Sequence, residues 1–378
     1  MSLLSTFYSK EILEEKDYLV SPSGKYYVPE NASHTSCMQY IRKLPLNPNP
    51  EVFGLHFNAN ITKGNQETAQ LLSRALLTQT NLSSSIGDGV TSTDHIIVIA
   101  KDILSKLPKR FDMESIEEKF PLDYMNSMNT VLRQELIRFN RLIRIVQVTL
   151  KNIQKAIKGF VVMSLELDEV ASSMRVGKVP QAWATRSYPS LKPLGSYVLD
   201  LLARLNFFQT WIDNGAPTVF WLSGFYFTQS FLTGVLQNFA RRYKIPIDHL
   251  GFEYEVTALE NSSNVADDVD TNEEDNVMVD GLFLEGARWD REVKLLAEPK
   301  PNILYDTLPI ILLKPGVKTK FLPMPAYDSP VYKTSARQGT LSTTGHSTNF
   351  VLYLKLSTDL PQKHWINRGT ACLCQLDD

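Results

Sequence analysis

Between Ser127 and Lys158 apolar residues stand at Leu132, Leu136, Phe139, Ile143, Val146, Leu150, Ile153 and Ile157. They recur at steps of four and three, which places them on one stripe of a helix. Arg133, Arg138, Arg141, Arg144, Lys151, Lys155 and Lys158 take much of the remaining circumference. The pattern predicts one helix of about thirty residues, roughly 45 Å long at about 1.5 Å per residue. A helix of that length crosses a whole small domain as a strut.

Shorter amphipathic runs flank it. Thr6 to Asp17 and Cys37 to Leu44 predict short helices, the second ended by Pro45. Asn65 to Thr80 carries Leu71, Leu72, Ala75 and Leu76 on one side of a helix, and Ile96 to Leu107 predicts another. Asn81 to Asp94, rich in Ser and Gly, predicts a mobile loop. Met163 to Arg175, Leu194 to Trp211 and Phe225 to Tyr243 predict three more helices, with Leu199, Leu202 and Phe208 facing inward on the second. After Lys244 the period shortens towards two. Gly251 to Val256, Asp280 to Glu285, Leu308 to Leu313, Val331 to Lys333, Phe350 to Leu356 and Thr370 to Leu376 predict short strands. Short strands joined by Gly and Pro turns point to a small barrel or sandwich. The expected fold class is therefore α+β. A mostly helical segment over 1–118 precedes an α-helical bundle with one very long helix over 119–245, and a small β-barrel fills 246–378.

Composition narrows the function classes. The chain has 378 residues, 43% hydrophobic and 21% charged, enough to bury real cores. A net charge of −2 gives no reason to expect nucleic-acid binding. No apolar run reaches the roughly 18 residues that a membrane span needs. The acidic run from Glu260 to Asp280 reads as a solvated loop, or more sharply as a docking segment for a basic partner. Cys37, Cys372 and Cys374 make neither a disulfide framework nor a zinc spacing, and a reducing compartment is the simpler reading.

Candidate chemistry is sparse. Ser23-Gly24-Lys25 lacks the upstream glycine of a phosphate loop, and Tyr26 stands where the hydroxyl belongs. Ser85-Ile-Gly87-Asp-Gly89 has neither the lysine nor a flanking strand, so this chain alone is expected not to hydrolyse ATP. The Gly/Ser/Thr-rich loop from Gly339 to His346 offers His346 and Ser342 to a hydrolase-like alternative. It lacks a G-x-S-x-G elbow, and a tight loop before a strand is the plainer account. His34, His56, His95, His249 and His364 are scattered without an HxH or HExxH pair, so no metal or cofactor is expected. Trp183, Trp211, Trp221, Trp289 and Trp365 read as packing anchors, and Glu285 to Arg291 reads as a corner held by ion pairs. No catalytic residue is assigned, and a generic interaction scaffold is the other alternative.

Several segments carry a resemblance. They are Pro50-Glu-Val-Phe-Gly-Leu-His-Phe-Asn-Ala-Asn-Ile61, Ser127-Met-Asn-Thr-Val-Leu132, Lys158-Gly-Phe-Val-Val-Met-Ser164 and Ser187-Tyr-Pro-Ser-Leu-Lys-Pro193. Phe231-Leu-Thr-Gly-Val-Leu-Gln-Asn238, Gly281-Leu-Phe-Leu-Glu-Gly-Ala-Arg-Trp-Asp290, Gly339-Thr-Leu-Ser-Thr-Thr-Gly-His-Ser-Thr-Asn349 and Cys372-Leu-Cys-Gln-Leu376 complete the set. Together they resemble the C-terminal region of dynein heavy chains, in its axonemal form, from end to end. The resemblance implies a non-catalytic module packed on the ring of AAA+ modules of the same heavy chain, on the face opposite the swinging linker. It implies that residues 1–118 belong partly to the sixth AAA+ module. It places the nucleotide loops and the microtubule-binding stalk elsewhere in the heavy chain, so that microtubules are met only through the rest of the motor. Other axonemal dynein subunits are possible partners on the same ground. The implied location is the ciliary or flagellar axoneme, cytoplasmic and cytoskeletal, with no membrane and no nucleic acid.

Overall fold

The computed structural model describes residues 10–14, 18–21, 24–29, 33–83, 89–259, 275–337, 339 and 348–377. The helices before the strut are α1 (Glu11–Glu14), α2 (His34–Lys43), α3 (Asn58–Ser83), α4 (Gly89–Lys106) and α5 (Met113–Lys119). The strut, α6, runs Ser127–Ile157 over 31 residues. It is followed by α7 (Leu165–Arg175), α8 (Gln181–Ala184) and α9 (Leu194–Asn214). Strand β1 (Val219–Trp221) leads into α10 (Thr228–Tyr243). Nine further strands come next: β2 (Leu250–Val256), β3 (Val277–Asp280), β4 (Phe283–Glu285), β5 (Arg288–Asp290), β6 (Leu295–Ala297), β7 (Tyr305–Thr307), β8 (Ile311–Val317), β9 (Ala326–Tyr332) and β10 (Phe350–Ser357). Helix α11 (Gln362–Arg368) and strand β11 (Ala371–Leu373) complete the order.

The ends of α6 are set locally. The Asn126 side chain accepts the Met128 N–H at 3.1 Å, satisfying one orphan donor of the first turn. At the other end Gly159 adopts φ 78°, and Phe160 N–H returns to the Lys155 carbonyl at 2.9 Å. Between them Leu132, Leu136, Phe139, Ile143, Val146, Leu150 and Ile153 are buried. Phe139 meets Phe208 of α9 with ring centroids 5.3 Å apart, and Tyr226 edge-on at 5.3 Å.

The strut is not the only long element, because α3 extends over 26 residues. Part of the loop expected over Asn81 to Asp94 is helical: α3 continues to Ser83, α4 starts at Gly89, and 84–88 lie outside the described residues. The helix expected over Thr6 to Asp17 falls largely outside them too. On α9 the inward stripe is Tyr197, Val198, Leu201, Leu205 and Phe208, whereas Leu199 is 65% exposed. Leu199 lies off the phase of that stripe, so the pattern points it to solvent.

The strand half departs further from expectation. Among the described residues there is no closed barrel but three sheets, ordered β1-β3-β8-β2, β10-β9-β11-β4-β7 and β5-β6. Closure needs tilt and stagger accumulated along the strands. The β1–β3 and β4–β7 ladders each pair only three residues per strand. Their outer edges therefore stay apart. The run expected over Asp280 to Glu285 breaks into β3 and β4 at Gly281, which sits at φ 84°. Pro309 precedes β8, which starts at Ile311 rather than Leu308.

One apolar cluster links the two halves. Leu136, Phe139 and Phe208 belong to it together with Val279, Leu284, Val331, Leu356, Trp365 and Cys372.

Candidate interaction surface

Two buried polar clamps hold the core elements together, one joining α6 to the start of α10 and the other joining α9 to the strand region. In the first, Glu135 of α6 is fully buried. Its carboxylate accepts the Tyr226 N–H, the Phe227 N–H at 3.1 Å and the Arg138 guanidinium at 2.7 Å. Phe227 is the residue before α10, so the carboxylate caps the positive end of that helix. Burial pushes the Glu135 carboxyl above the usual glutamate range, and those three donors pull it partly back.

The second clamp is Arg204 of α9, 2% exposed. It donates to Asp200 at 2.7 Å and to the Ser223 carbonyl, and its guanidinium lies 3.9 Å from the Tyr188 ring centroid. Ser223 in turn donates to the Gly281 carbonyl at 2.5 Å. Helix α9 is thereby tied to the turn between β3 and β4. Burial raises the Tyr188 phenol well above its ordinary value.

A cleft of about 410 Å³ opens where the start of α3 meets the five-stranded sheet. His56, Lys63, Glu285, Arg337 and Arg368 line it. Its charges are already matched. Arg337 pairs with Glu285, while Arg368 and His364 converge on Glu298 at 3.3 and 2.6 Å. Burial, and then the charge of Arg368, hold His56 below the usual histidine range. These pairs lie within the strand half. The N-terminal segment is held to it by Asn58, whose side chain donates to the Lys300 and Ile303 carbonyls at 2.9 and 2.8 Å and accepts the Asn302 N–H at 2.9 Å. The cleft offers no acid–base pair poised around a nucleophile among the described residues.

The outer surface is more distinctive. On α6 the exposed positions Arg141, Arg144, Val148, Lys151, Lys155 and Lys158 oppose the buried stripe. Immediately beyond the helix, Phe160, Val162 and Leu165 are 78%, 87% and 92% exposed. Leu71 and Leu72 of α3 are exposed as well.

The residues singled out from the sequence fall in several places. His346 and Ser342 lie outside the described residues, as do 260–274 of the acidic run. Asp275, at its end, pairs with Arg242 at 2.8 Å and accepts the Tyr243 hydroxyl at 2.7 Å. Cys372 and Cys374 are buried free thiols, each pushed up to about 12 by burial, and Cys37 is half-buried. Trp183 and Trp365 are fully buried and donate to Thr149 at 2.8 Å and Thr358 at 2.9 Å. The corner at Trp289 holds together through Arg288–Asp290 at 2.9 Å and Asp306, which accepts the Trp289 N–H at 2.7 Å. Among the described residues no group of three or more His, Cys, Asp or Glu is placed to hold a metal. No described helix is long and apolar enough to cross a membrane.

The clamps escaped sequence reasoning because their partners are far apart: Glu135 and Tyr226 are separated by 91 residues. The lone acid within the basic α6 was the only available signal.

Comparison with known proteins gives a consistent family. The family model for the C-terminal domain of dynein heavy chains matches residues 65–374, and that for their AAA lid domain matches 1–59. Among similar proteins, dynein axonemal heavy chain 3 of Homo sapiens is 60% identical over 378 residues, covering 100% of this chain and 9% of the relative. Human dynein axonemal heavy chain 12 is 52% identical over 379 residues, covering 100% of this chain and 12% of the relative. Human dynein axonemal heavy chain 1 is 44% identical over 379 residues, with 100% and 9% covered. The chain thus spans about a tenth of the length of the curated relatives it matches.

Proposed function

The chain belongs to the family of dynein heavy chains, as their C-terminal domain, and on that premise we propose that it is the non-catalytic structural and regulatory C-terminal module of an axonemal dynein heavy chain. It packs on the AAA+ ring of the same heavy chain and tunes ATP-driven microtubule motility of cilia and flagella. The observation that carries this reading is the match along nearly the whole chain, lid domain first and C-terminal domain after it. Residues 1–118 adjoin the sixth AAA+ module, 119–245 form the helical part and 246–378 the strand-rich part. The module works in the axoneme, needs no metal or cofactor of its own, and meets microtubules only through the rest of the heavy chain.

The mechanism rests on rigidity. Close-packed interiors shift between discrete arrangements rather than bending continuously. A body whose helices and sheets share one core can therefore couple the motions of the ring modules it touches. Titration of the protein with ATP by calorimetry tests the non-catalytic reading. No binding in the micromolar range and no turnover are expected. Stoichiometric micromolar binding would overturn it and favour the hydrolase-like alternative around His346.

A further inference from the structure

The outer stripe of α6 runs Arg141, Arg144, Val148, Lys151, Lys155, Lys158, at the same steps of three and four that bury the opposite face. It holds five cations and no acid. The one acid of α6 is Glu135, buried on the other side. Arg133 and Arg138 have ion-pair partners in Glu117 and Glu135, whereas none of the five ridge cations has one among the described residues. Like charges three and four positions apart repel on a helix, and solvated faces ordinarily mix both signs. A ridge that concentrates one sign lowers helix stability and creates a directed field. At about 1.5 Å per residue it is roughly 26 Å long. At its end Phe160, Val162 and Leu165 project almost fully into solvent, the kind of apolar patch that marks a contact surface.

We propose that this ridge and its apolar tip dock an extended, glutamate-rich polypeptide segment of a partner protein, with an apolar residue after the acidic run. The ridge is convex and linear. It selects for a line of charge rather than for a side-chain shape, and about eight extended residues at about 3.3 Å each cover it. Charge complementarity specifies the acidic run, and the exposed Phe160, Val162 and Leu165 specify the apolar residue beyond it. The inference rests on the ridge staying uncovered when the module packs on the ring, and nucleotide binding does not bear on it.

The test uses the 378-residue protein and a fluorescein-labelled peptide of eight glutamates with Phe-Leu at its end, read by fluorescence anisotropy. Binding is expected at 50 mM salt and about ten-fold weaker at 300 mM, as screening of exposed charge requires. Arg141→Glu, Arg144→Glu and Lys151→Glu together should weaken it at least about ten-fold, whereas the same charge change at the exposed Lys101, Lys109 and Lys320 should weaken it less than about two-fold. Phe160→Ser with Val162→Ser should remove only the advantage of the Phe-Leu peptide over plain octaglutamate. Circular dichroism melts check that each variant folds. Equal weakening by the two triple reversals, or no peptide binding, would overturn the proposal. So would ridge-dependent binding to phosphatidylserine vesicles without peptide binding, or ridge-dependent self-association by sedimentation.

Discussion

At Glu135 a buried carboxylate is offset by three donors on two elements, Arg138 on α6 itself and the amides of Tyr226 and Phe227 ahead of α10. Removing it leaves those amides without an acceptor. Glu135→Ala should cost about 1–3 kcal/mol, read by urea unfolding at pH 7. The pH dependence has a defined sign. The folded carboxyl is raised above its ordinary value of 4.5, so the folded state holds the proton more tightly. Its contribution to stability is complete below that value and is lost as pH rises through the folded one. Glu135→Gln removes the titration, so its stability profile should lack that loss relative to the parent. Parallel profiles from pH 4 to 8 would contradict the assignment. Gly281 poses a steric test. It sits at φ 84°, and a Cβ there runs into the Trp221 ring. Gly281→Ala should destabilise by about 1–3 kcal/mol in the same assay.

Among the elements, α6 was legible because one face is buried along its whole length, which imprints an uninterrupted period on the sequence. Phe139→Ala should cost about 3–5 kcal/mol, since the ring is fully buried among other aromatics. Arg144→Gln on the exposed face should change stability by less than about 0.5 kcal/mol. Equal melting temperatures for Phe139→Ala and the parent would show that the core lies elsewhere. The strands were less legible for a physical reason. β1, β5, β6 and β7 have three residues each, less than two full alternations, and leave almost no periodic trace. Sheet order depends on pairings such as Val219 with Met278, which no local pattern encodes. Hence the strand-rich half was anticipated and its three open sheets were not. The tie from Asn58 to Lys300, Asn302 and Ile303 was hidden in the same way, its members lying in distant segments.

For the whole molecule, the continuous core has a practical consequence. Val279, Leu284, Val331 and Cys372 pack in the same cluster as Leu136 and Phe208, so a cut at residue 245 would open that core. Ile96, Ala100, Ile103 and Ile116 belong to that cluster too, so the informative deletion removes 65–378 together and leaves the lid-matching residues 1–59 in place. The central claim is that this module tunes a motor without doing its chemistry. The most direct measurement compares a full motor that has this module with one lacking residues 65–378, in microtubule gliding and microtubule-stimulated ATPase assays. The account predicts that the shortened motor still binds and hydrolyses ATP but moves microtubules at an altered velocity or with an altered ATPase rate. Identical velocity and ATPase in the two motors would contradict it.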